Sequence, residues 1–367
     1  MTTYLFAGGG TAGHVNPLLA TADRLREREP DAEVLVLGTA EGLEARLVPA
    51  RGYELLTVPR LPFPRRPNRD ALRFPGRWGA AVGQTRRILR DRGVDVVVGF
   101  GGYASAPAYR AARLERVPIV IHEQNAKPGI ANRLGARWTR FVAVTFAGTR
   151  LPHARLLGLP LRREIERLDI PSARTAARQF FDLGERPVLL VTGGSTGARR
   201  LNETVSASVA AILGSGWQVL HITGSRSPVT DPGLEGYRVV EYCDRMELAL
   251  AVADLAVSRA GATTVSELAA VGVPAVYVPY AVGNGEQVLN ARGAVEAGGA
   301  LLVTDAAFTP AWVESTLVAL LARPERVADM AARMAAIGVR DAADAMVDLV
   351  LQAQRDARSS AHPSGHR

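Results

Sequence analysis

Gly8-Gly9-Gly10-Thr11-Ala12-Gly13-His14 is the stretch that decides the fold. It follows the short apolar run Tyr4-Leu5-Phe6-Ala7 and precedes a helical pattern over 17–29. A buried strand, a glycine turn and a helix start aim free N–H groups and the positive end of a helix dipole at one point, which makes an anion site. The pattern returns about half a chain later. Val188-Leu189-Leu190-Val191 leads into Gly193-Gly194-Ser195-Thr196-Gly197-Ala198 and then into another helical segment. Two such units predict two nucleotide-fold halves facing one another. A cleft between them suits a phosphate-bearing donor and a separate acceptor.

The flanking sequence extends the pattern. Strand-like runs at 4–7, 33–37, 94–98, 118–122 and 141–144 alternate with helical patterns such as 17–29 and 104–116. The second half repeats this with runs at 188–191, 217–222, 237–241, 255–257 and 275–278. Such alternation predicts an α/β protein whose parallel sheets are covered on both faces. Leu157-Gly158-Leu159-Pro160 reads as the crossing between the halves. The expected domains are 1–162 and 163–340, with a last helix over 341–354 that fits either half. The tail 355–367, rich in Ser, His, Arg and Gly, is expected to be disordered.

Composition narrows the class. At 367 residues the chain has room for two cores. No apolar run approaches the roughly 20 residues of a membrane span, and the N-terminus lacks a secretory pattern. Cys243 is the only cysteine, which excludes an intrachain disulfide framework and a cysteine metal cluster. These features favour the cytoplasm. Residues 60–92 hold ten arginines against two aspartates, a local excess equal to the net charge of +8 of the whole chain. Leu61, Phe63, Leu72, Phe74 and Trp78 lie among them, with Arg73 and Arg77 between. Cations mixed with rings suit an anionic membrane surface, and the same pattern also reads as a solvated arginine-rich face. No helix-turn-helix, zinc-finger or aromatic RNA-sheet motif is found, so nucleic acid is not an expected partner.

Several motifs carry chemistry. His14 opens a helix beside the expected cleft, where an imidazole serves either as general base or as a backbone contact. Gly99-Phe100-Gly101-Gly102-Tyr103 and His122-Glu123-Gln124-Asn125 follow strands whose carboxyl ends share the edge of the first glycine loop. His14, Tyr103 and Asn125 are therefore expected to converge. In the second half, Ser258-Arg259-Ala260-Gly261-Ala262-Thr263-Thr264-Val265-Ser266-Glu267 opens a helix whose start suits a diphosphate. Glu267 suits ribose hydroxyls, and Gln287 and Asn290 suit sugar hydroxyls or helix capping.

Six blocks in order, GGGTAGHVNP, GFGGYASAPA, HEQNAKPGIAN, GGSTGARRLN, SRAGATTVSELAAVGVPAVYVPY and EQVLNARGAVEAGGA, cover nearly the whole chain. Together they resemble the MurG family, the bacterial UDP-N-acetylglucosamine:undecaprenyl-diphospho-muramoylpentapeptide N-acetylglucosaminyltransferases of peptidoglycan synthesis. The resemblance implies a GT-B fold of two Rossmann-like domains. It implies inverting transfer of GlcNAc from UDP-GlcNAc to the C4 hydroxyl of the muramoyl sugar of lipid I, giving lipid II. Carried over by motif, Thr11, Ala12, Gly13, Asn125, Arg162, Ser195, Cys243, Glu267 and Gln287 line the donor site. Ala262, Thr263, Thr264, Val265 and Ser266 form its helix start. His14 matches the family's base, and Tyr103 and His122 fall in motifs facing the acceptor. Leu72, Arg73, Phe74, Arg77 and Trp78 become the expected contact with the cytoplasmic membrane face, where lipid I resides.

Ala12, Thr196 and Glu286 depart from the family's common pattern, which bears on donor selectivity rather than on fold. No Asp-X-Asp motif is placed to hold a metal, so a metal-independent reaction without cofactor is expected. Two other readings compete: a GT-B transferase acting on another lipid or natural product, and a non-catalytic docking protein that keeps the fold.

Overall fold

The computed structural model describes residues 1–64, 69–194, 196–280 and 285–361. The chain divides into two compact units, Met1–Arg162 with Asp341–Arg367, and Arg163–Arg340. In the first, strands β1 (Thr3–Ala7), β2 (Glu33–Gly38), β3 (Glu54–Thr57), β4 (Val96–Gly99), β5 (Ile119–Glu123), β6 (Phe141–Val144) and β7 (Ala154–Leu156) form one sheet. Its order is β3-β2-β1-β4-β5-β6-β7, and every pair is parallel. The helices used below are α1 (Ala12–Arg28), α2 (Glu44–Ala50), α3 (Arg69–Asp91), α4 (Ser105–Glu115) and α5 (Ile130–Gly135).

Alternation along β1 explains why both faces need cover. Tyr4 and Phe6 enter one core with Val15 and Leu18 of α1, while Leu5 and Ala7 enter the other with Val82 of α3 and Tyr109 of α4. The last helix, Ala342–Ala361, adds Met346, Val347, Leu349 and Val350 to the first of these cores. It therefore belongs to the first unit. Ion pairs from Arg28 to Asp348 at 2.7 Å and from Arg24 to Asp344 at 3.3 Å lie along its contact with α1. The expectation of disorder from residue 355 fails for 355–361, which are helical; Gln354 ends the apolar pattern but helix propensity carries the backbone on. Residues 362–367 lie outside the described residues.

The second unit repeats the architecture with six strands: β8 (Val188–Thr192), β9 (Gln218–Ile222), β10 (Tyr237–Val240), β11 (Leu255–Ser258), β12 (Ala275–Tyr277) and β13 (Ala300–Leu302). Their order is β10-β9-β8-β11-β12-β13, again parallel throughout. Leu189 and Val191 of β8 pack with Leu201 and Val205 of helix Arg199–Gly214. No described helix is long and apolar enough to cross a membrane.

Both sheets reverse direction at their glycine-loop strand. After β1 the chain builds outward to β2 and β3, then returns to the other side of β1 as β4; β8 is flanked by β9 and β11 in the same way. At such a switch point the loops leaving the carboxyl ends diverge, and ligands bind in the crevice they leave. Each unit thus presents a ligand edge at its own glycine loop.

Candidate functional site

In the first unit the edge is built from the loops after β1, β4 and β5. Gly102 has φ +81°, and a Cβ there would lie 2.5 Å from the carbonyl oxygen of Gly9. Only glycine allows the two turns to touch. Ser105 Oγ donates to one of two carbonyls, those of Ala7 and Gly101, each 2.7 Å away. Gln124 Nε2 donates to Phe100 O at 2.6 Å, tying the β5 loop to the β4 turn.

His14 sits on this edge. Its Nδ1 lies 2.9 Å from Thr11 Oγ1, and a Cβ on Gly101 would come within 3.2 Å of its ring. Thr11 is the N-cap of α1, yet its hydroxyl meets the His14 ring instead of a backbone amide. Ala12 and Gly13 supply the open amides of the helix start. Burial holds the His14 pKa below the usual histidine value, and the Glu44 carboxylate pushes the other way. The shift favours the neutral imidazole.

Tyr103 is half-buried, its ring 4.8 Å from the Arg60 guanidinium and its hydroxyl accepting from Arg60 at 3.4 Å. Asn125 is also half-buried, with its N–H donating to Glu123 Oε1 at 3.0 Å. Glu123 accepts further from Gly129 N–H and from Asn132 Nδ2, so one buried carboxylate shapes the whole loop. His122 corrects an expectation. It lies in β5 with no exposed surface, its Nε2 is 2.9 Å from Gly158 O, and burial lowers its pKa to about 4. Its ring supports the segment leaving the sheet and does not face an acceptor. Arg162 is half-buried at the last position before the second unit.

In the second unit, Gly193 and Gly194 follow β8, and Gly194 N–H donates to Thr192 Oγ1 at 3.2 Å. Ser195 lies outside the described residues. A Cβ on Gly224 would overlap Gly197, so the glycine loop packs closely on the loop after β9. Behind it, His221 joins Tyr237 at 2.8 Å and Asn202 at 3.1 Å, and Asn202 Nδ2 donates to Thr223 O and Ser227 O. This buried set holds two loops in register and has no sequence pattern that announces it.

Helix Ala262–Val271 begins directly after β11 with Gly261 as N-cap. Thr263, Thr264 and Ser266 are half-buried in its first turns, Ala262 and Val265 are buried, and Glu267 is 7 % exposed. Arg259, just ahead, is largely buried. Its Nη1 donates to Val278 O at 2.9 Å, to Pro279 O at 3.2 Å and to Asp305 Oδ1 at 2.6 Å. The same guanidinium lies 5.6 Å from the Tyr280 ring. Gln287 Oε1 accepts from Tyr280 N–H at 2.9 Å, which fixes the side-chain amide with its nitrogen as the donor. Asn290 Nδ2 donates to Ala260 O at 3.2 Å. One knot of polar contacts therefore fixes the helix start, residues 278–280 and Gln287 together. Cys243 lines a cavity of about 500 Å³ with Phe180, Phe181, Tyr242 and Arg245, and no residue of 262–267 is in its wall.

The arginine-rich segment is narrower than its composition suggests. Arg86 and Arg90 both pair with Glu115, and Arg92 bridges Glu33 and Glu54. Phe63, Phe74 and Trp78 cluster with ring centroids 5.5–5.9 Å apart, Phe74 and Trp78 stacked and Phe63 tilted against both, and Phe63 and Trp78 lean on the core. Leu72, Arg73 and Arg77 are exposed, Leu72 by 83 %. Arg65 and Arg66 lie outside the described residues.

Comparison with known proteins agrees with this architecture. Residues 4–144 match the glycosyltransferase family 28 N-terminal domain, and 188–346 match the family 28 C-terminal domain. The UDP-N-acetylglucosamine--N-acetylmuramyl-(pentapeptide) pyrophosphoryl-undecaprenol N-acetylglucosamine transferase of Leifsonia xyli subsp. xyli is 64 % identical over 351 residues, covering 95 % of this chain and 98 % of that protein. The protein of the same name from Clavibacter sepedonicus is 62 % identical over 355 residues, covering 96 % and 97 %. Among solved structures, Acinetobacter baumannii MurG superimposes with a TM-score of 0.79 at 26 % identity, covering 96 % of this chain and all of that one. By both domains, and by likeness along almost its full length, the chain belongs to glycosyltransferase family 28, in the branch formed by these N-acetylglucosamine transferases.

Proposed function

We propose that this protein transfers GlcNAc from UDP-GlcNAc to the C4 hydroxyl of the muramoyl sugar of lipid I, forming lipid II. End-to-end likeness to transferases named for this donor and acceptor supports the substrates. The observation that carries the chemistry is the His14 imidazole, held by Thr11 at the switch-point edge of the first sheet, where desolvation favours its neutral form. In the productive tautomer Nδ1–H donates to Thr11 Oγ1, and Nε2 carries the lone pair. Nε2 takes the proton of the acceptor hydroxyl as its oxygen bonds to C1 of GlcNAc. The bond from C1 to the β-phosphate oxygen breaks, and UDP leaves with the electron pair. With His14 as base and the acceptor oxygen attacking C1 directly, the transfer is a single displacement, hence inversion.

The leaving diphosphate gains charge as that bond breaks. The helix starting at Ala262, the glycine-loop amides and Arg162 are the groups assigned to it, so no metal step is needed. Glu267 receives the ribose hydroxyls, and the Gln287 amide the GlcNAc hydroxyls. Replacing Glu267 with Ala raises the donor KM by roughly 10- to 100-fold with a smaller change in kcat, as expected for a lost charge-assisted hydrogen bond in the ground state. Initial-rate kinetics over a range of UDP-GlcNAc check this; an unchanged KM would remove the ribose role.

The acceptor's polyprenyl chain ties the reaction to a membrane, which supports work at the cytoplasmic face with the protein bound peripherally. Leu72, Arg73 and Arg77 are the docking group, backed by Phe74 and Trp78. Sedimentation with anionic vesicles is expected to show binding that weakens as salt rises from 50 to 500 mM, at about 1 kcal/mol per basic residue engaged at low salt. Binding that ignores salt would contradict the electrostatic part. The activity itself is tested with labelled UDP-GlcNAc and a short-chain lipid I analogue. Labelled lipid product supports the assignment. Release of free GlcNAc alone points to another acceptor, and no turnover points to a docking role.

A further inference from the structure

The Gly8–Gly10 turn reads as an anion cradle in the sequence, yet in the structure it already holds a carboxylate of the chain itself. Glu44, the first residue of α2, is 1 % exposed. Its Oε2 accepts from Gly10 N–H at 2.7 Å, and its Oε1 from Thr39 N–H at 2.9 Å and Thr39 Oγ1 at 2.8 Å. Three glycines make the room. A Cβ on Gly9 or Gly42 would overlap the carboxylate, and one on Gly38 would sit 2.5 Å from its Cγ. A carboxylate buried beside a phosphate-type loop is unfavourable unless it is well hydrogen-bonded, as Glu44 is by its three donors.

We propose that Glu44 is a positioning residue for transfer: it fixes the glycine turn that sets Thr11 and His14, and it supplies the negative charge against which His14 takes up the acceptor's proton. This rests on His14 being the base. Two features of the geometry carry it. Gly10 immediately precedes Thr11, the partner of the imidazole, so the bond from Gly10 to Glu44 anchors the residue next to that partner. The Gly10 amide, once given to Glu44, is withdrawn from diphosphate binding. The first loop then serves the proton transfer and leaves most of the leaving-group charge to other amides.

The electrostatics point the same way. Desolvation resists a positive charge on His14, and Glu44 is the charged group that favours it. The other neighbours are accounted for. Thr11 meets the ring from its own helix, and Gly101 packs on it from the turn before α4. Asn132 of α5 lies beside Gly101, bonded to the Tyr109 hydroxyl at 2.7 Å and to Glu123 of β5 at 2.9 Å. Glu123 thus stands one residue further back, while Glu44 lies under the turn.

The test uses the full chain labelled at histidine Cε1, with the His14 signal assigned by its loss in His14→Gln. In Glu44→Gln the amide has one carbonyl oxygen: it serves Thr39 or Gly10 but not both, and the charge is gone. His14 is expected to titrate lower by roughly half a pH unit or more. The acid limb of kcat/KM moves down with it, and the plateau falls about tenfold. Glu44→Asp keeps the charge and is expected to restore the titration more fully than the rate. UDP affinity stays unchanged in both variants. An unmoved His14 titration in Glu44→Gln would overturn the inference. An acid limb that survives in His14→Gln would instead overturn the base assignment, and the NMR titration tells the two failures apart. If Glu44→Gln does not fold, exchange of the Gly10 amide in the unaltered chain decides. Slow exchange is expected, and exchange at the rate of an open loop amide would overturn the proposal.

Discussion

His14→Ala lowers kcat by roughly 10²- to 10⁴-fold while leaving UDP affinity unchanged. The magnitude is that of a positioned general base. The selectivity follows from the division of labour, since His14 belongs to the first unit and the assigned ribose contact, Glu267, to the second. The pH profile gives a further check. Because burial lowers the His14 pKa below 6.5, kcat/KM of the unaltered enzyme holds steady through neutrality and falls only as pH drops through that lowered value. His14→Ala loses this acid limb. Near-normal turnover, or retention of the limb, would remove His14 as base. Calorimetric titration with UDP and single-turnover kinetics separate the two effects.

Arg259→Ala destabilises the second unit by about 3 kcal/mol and raises the donor KM. The guanidinium serves Asp305, Val278 O and Pro279 O at once, with side-chain exposures of 11 % for Arg259 and 15 % for Asp305. Removing it strands a mostly buried carboxylate, a change that typically costs about 3–5 kcal/mol. Arg200, 3.6 Å from Asp305 and more exposed, remains as a weaker partner and keeps the loss near the lower end. The KM rises because the same contacts fix the Tyr280 loop and, through it, Gln287. Urea unfolding followed by a probe in the second unit measures the first effect. A loss under about 1 kcal/mol would mean that the loops are held by other contacts.

What the sequence disclosed and what it hid have a common physical cause. Interior parallel strands are buried on both faces and therefore stand out as continuous apolar runs, which is why β1, β6 and β8 are legible almost to the residue. The strands that escape notice, β3, β7 and β13, all lie at sheet edges. Glu54 in β3 and every residue of β7 are exposed, so neither carries such a run. The glycine motifs are legible for the same local reason: each sits where only glycine permits a turn or a close approach, as Gly102 does against Gly9. Buried polar residues are the opposite case. Glu44, Glu123, His221 and Arg259 are single polar letters in a helix start, strands or a loop, and their partners lie 16 to 46 positions away or across a turn. Their roles arise only when the sheet brings its carboxyl-end loops together. His122 illustrates the converse error: its motif suggested a substrate contact, while its place in β5 turns the ring into the fold.

The arginine-rich segment needed the same correction. Charge counting treats all ten arginines alike. The fold assigns Arg86, Arg90 and Arg92 to glutamates and leaves Arg73 and Arg77 exposed beside Leu72.

The proposed mechanism is a direct displacement on UDP-GlcNAc by the muramoyl hydroxyl, assisted by one histidine. The stereochemistry of the product tests it most directly. Incubating the enzyme with UDP-GlcNAc, whose sugar is α-linked, and a short-chain lipid I analogue is predicted to yield a disaccharide joined through C4 of the muramoyl sugar, with the β configuration in the proton NMR spectrum. An α-linked product would rule out a single in-line displacement and would contradict the mechanism.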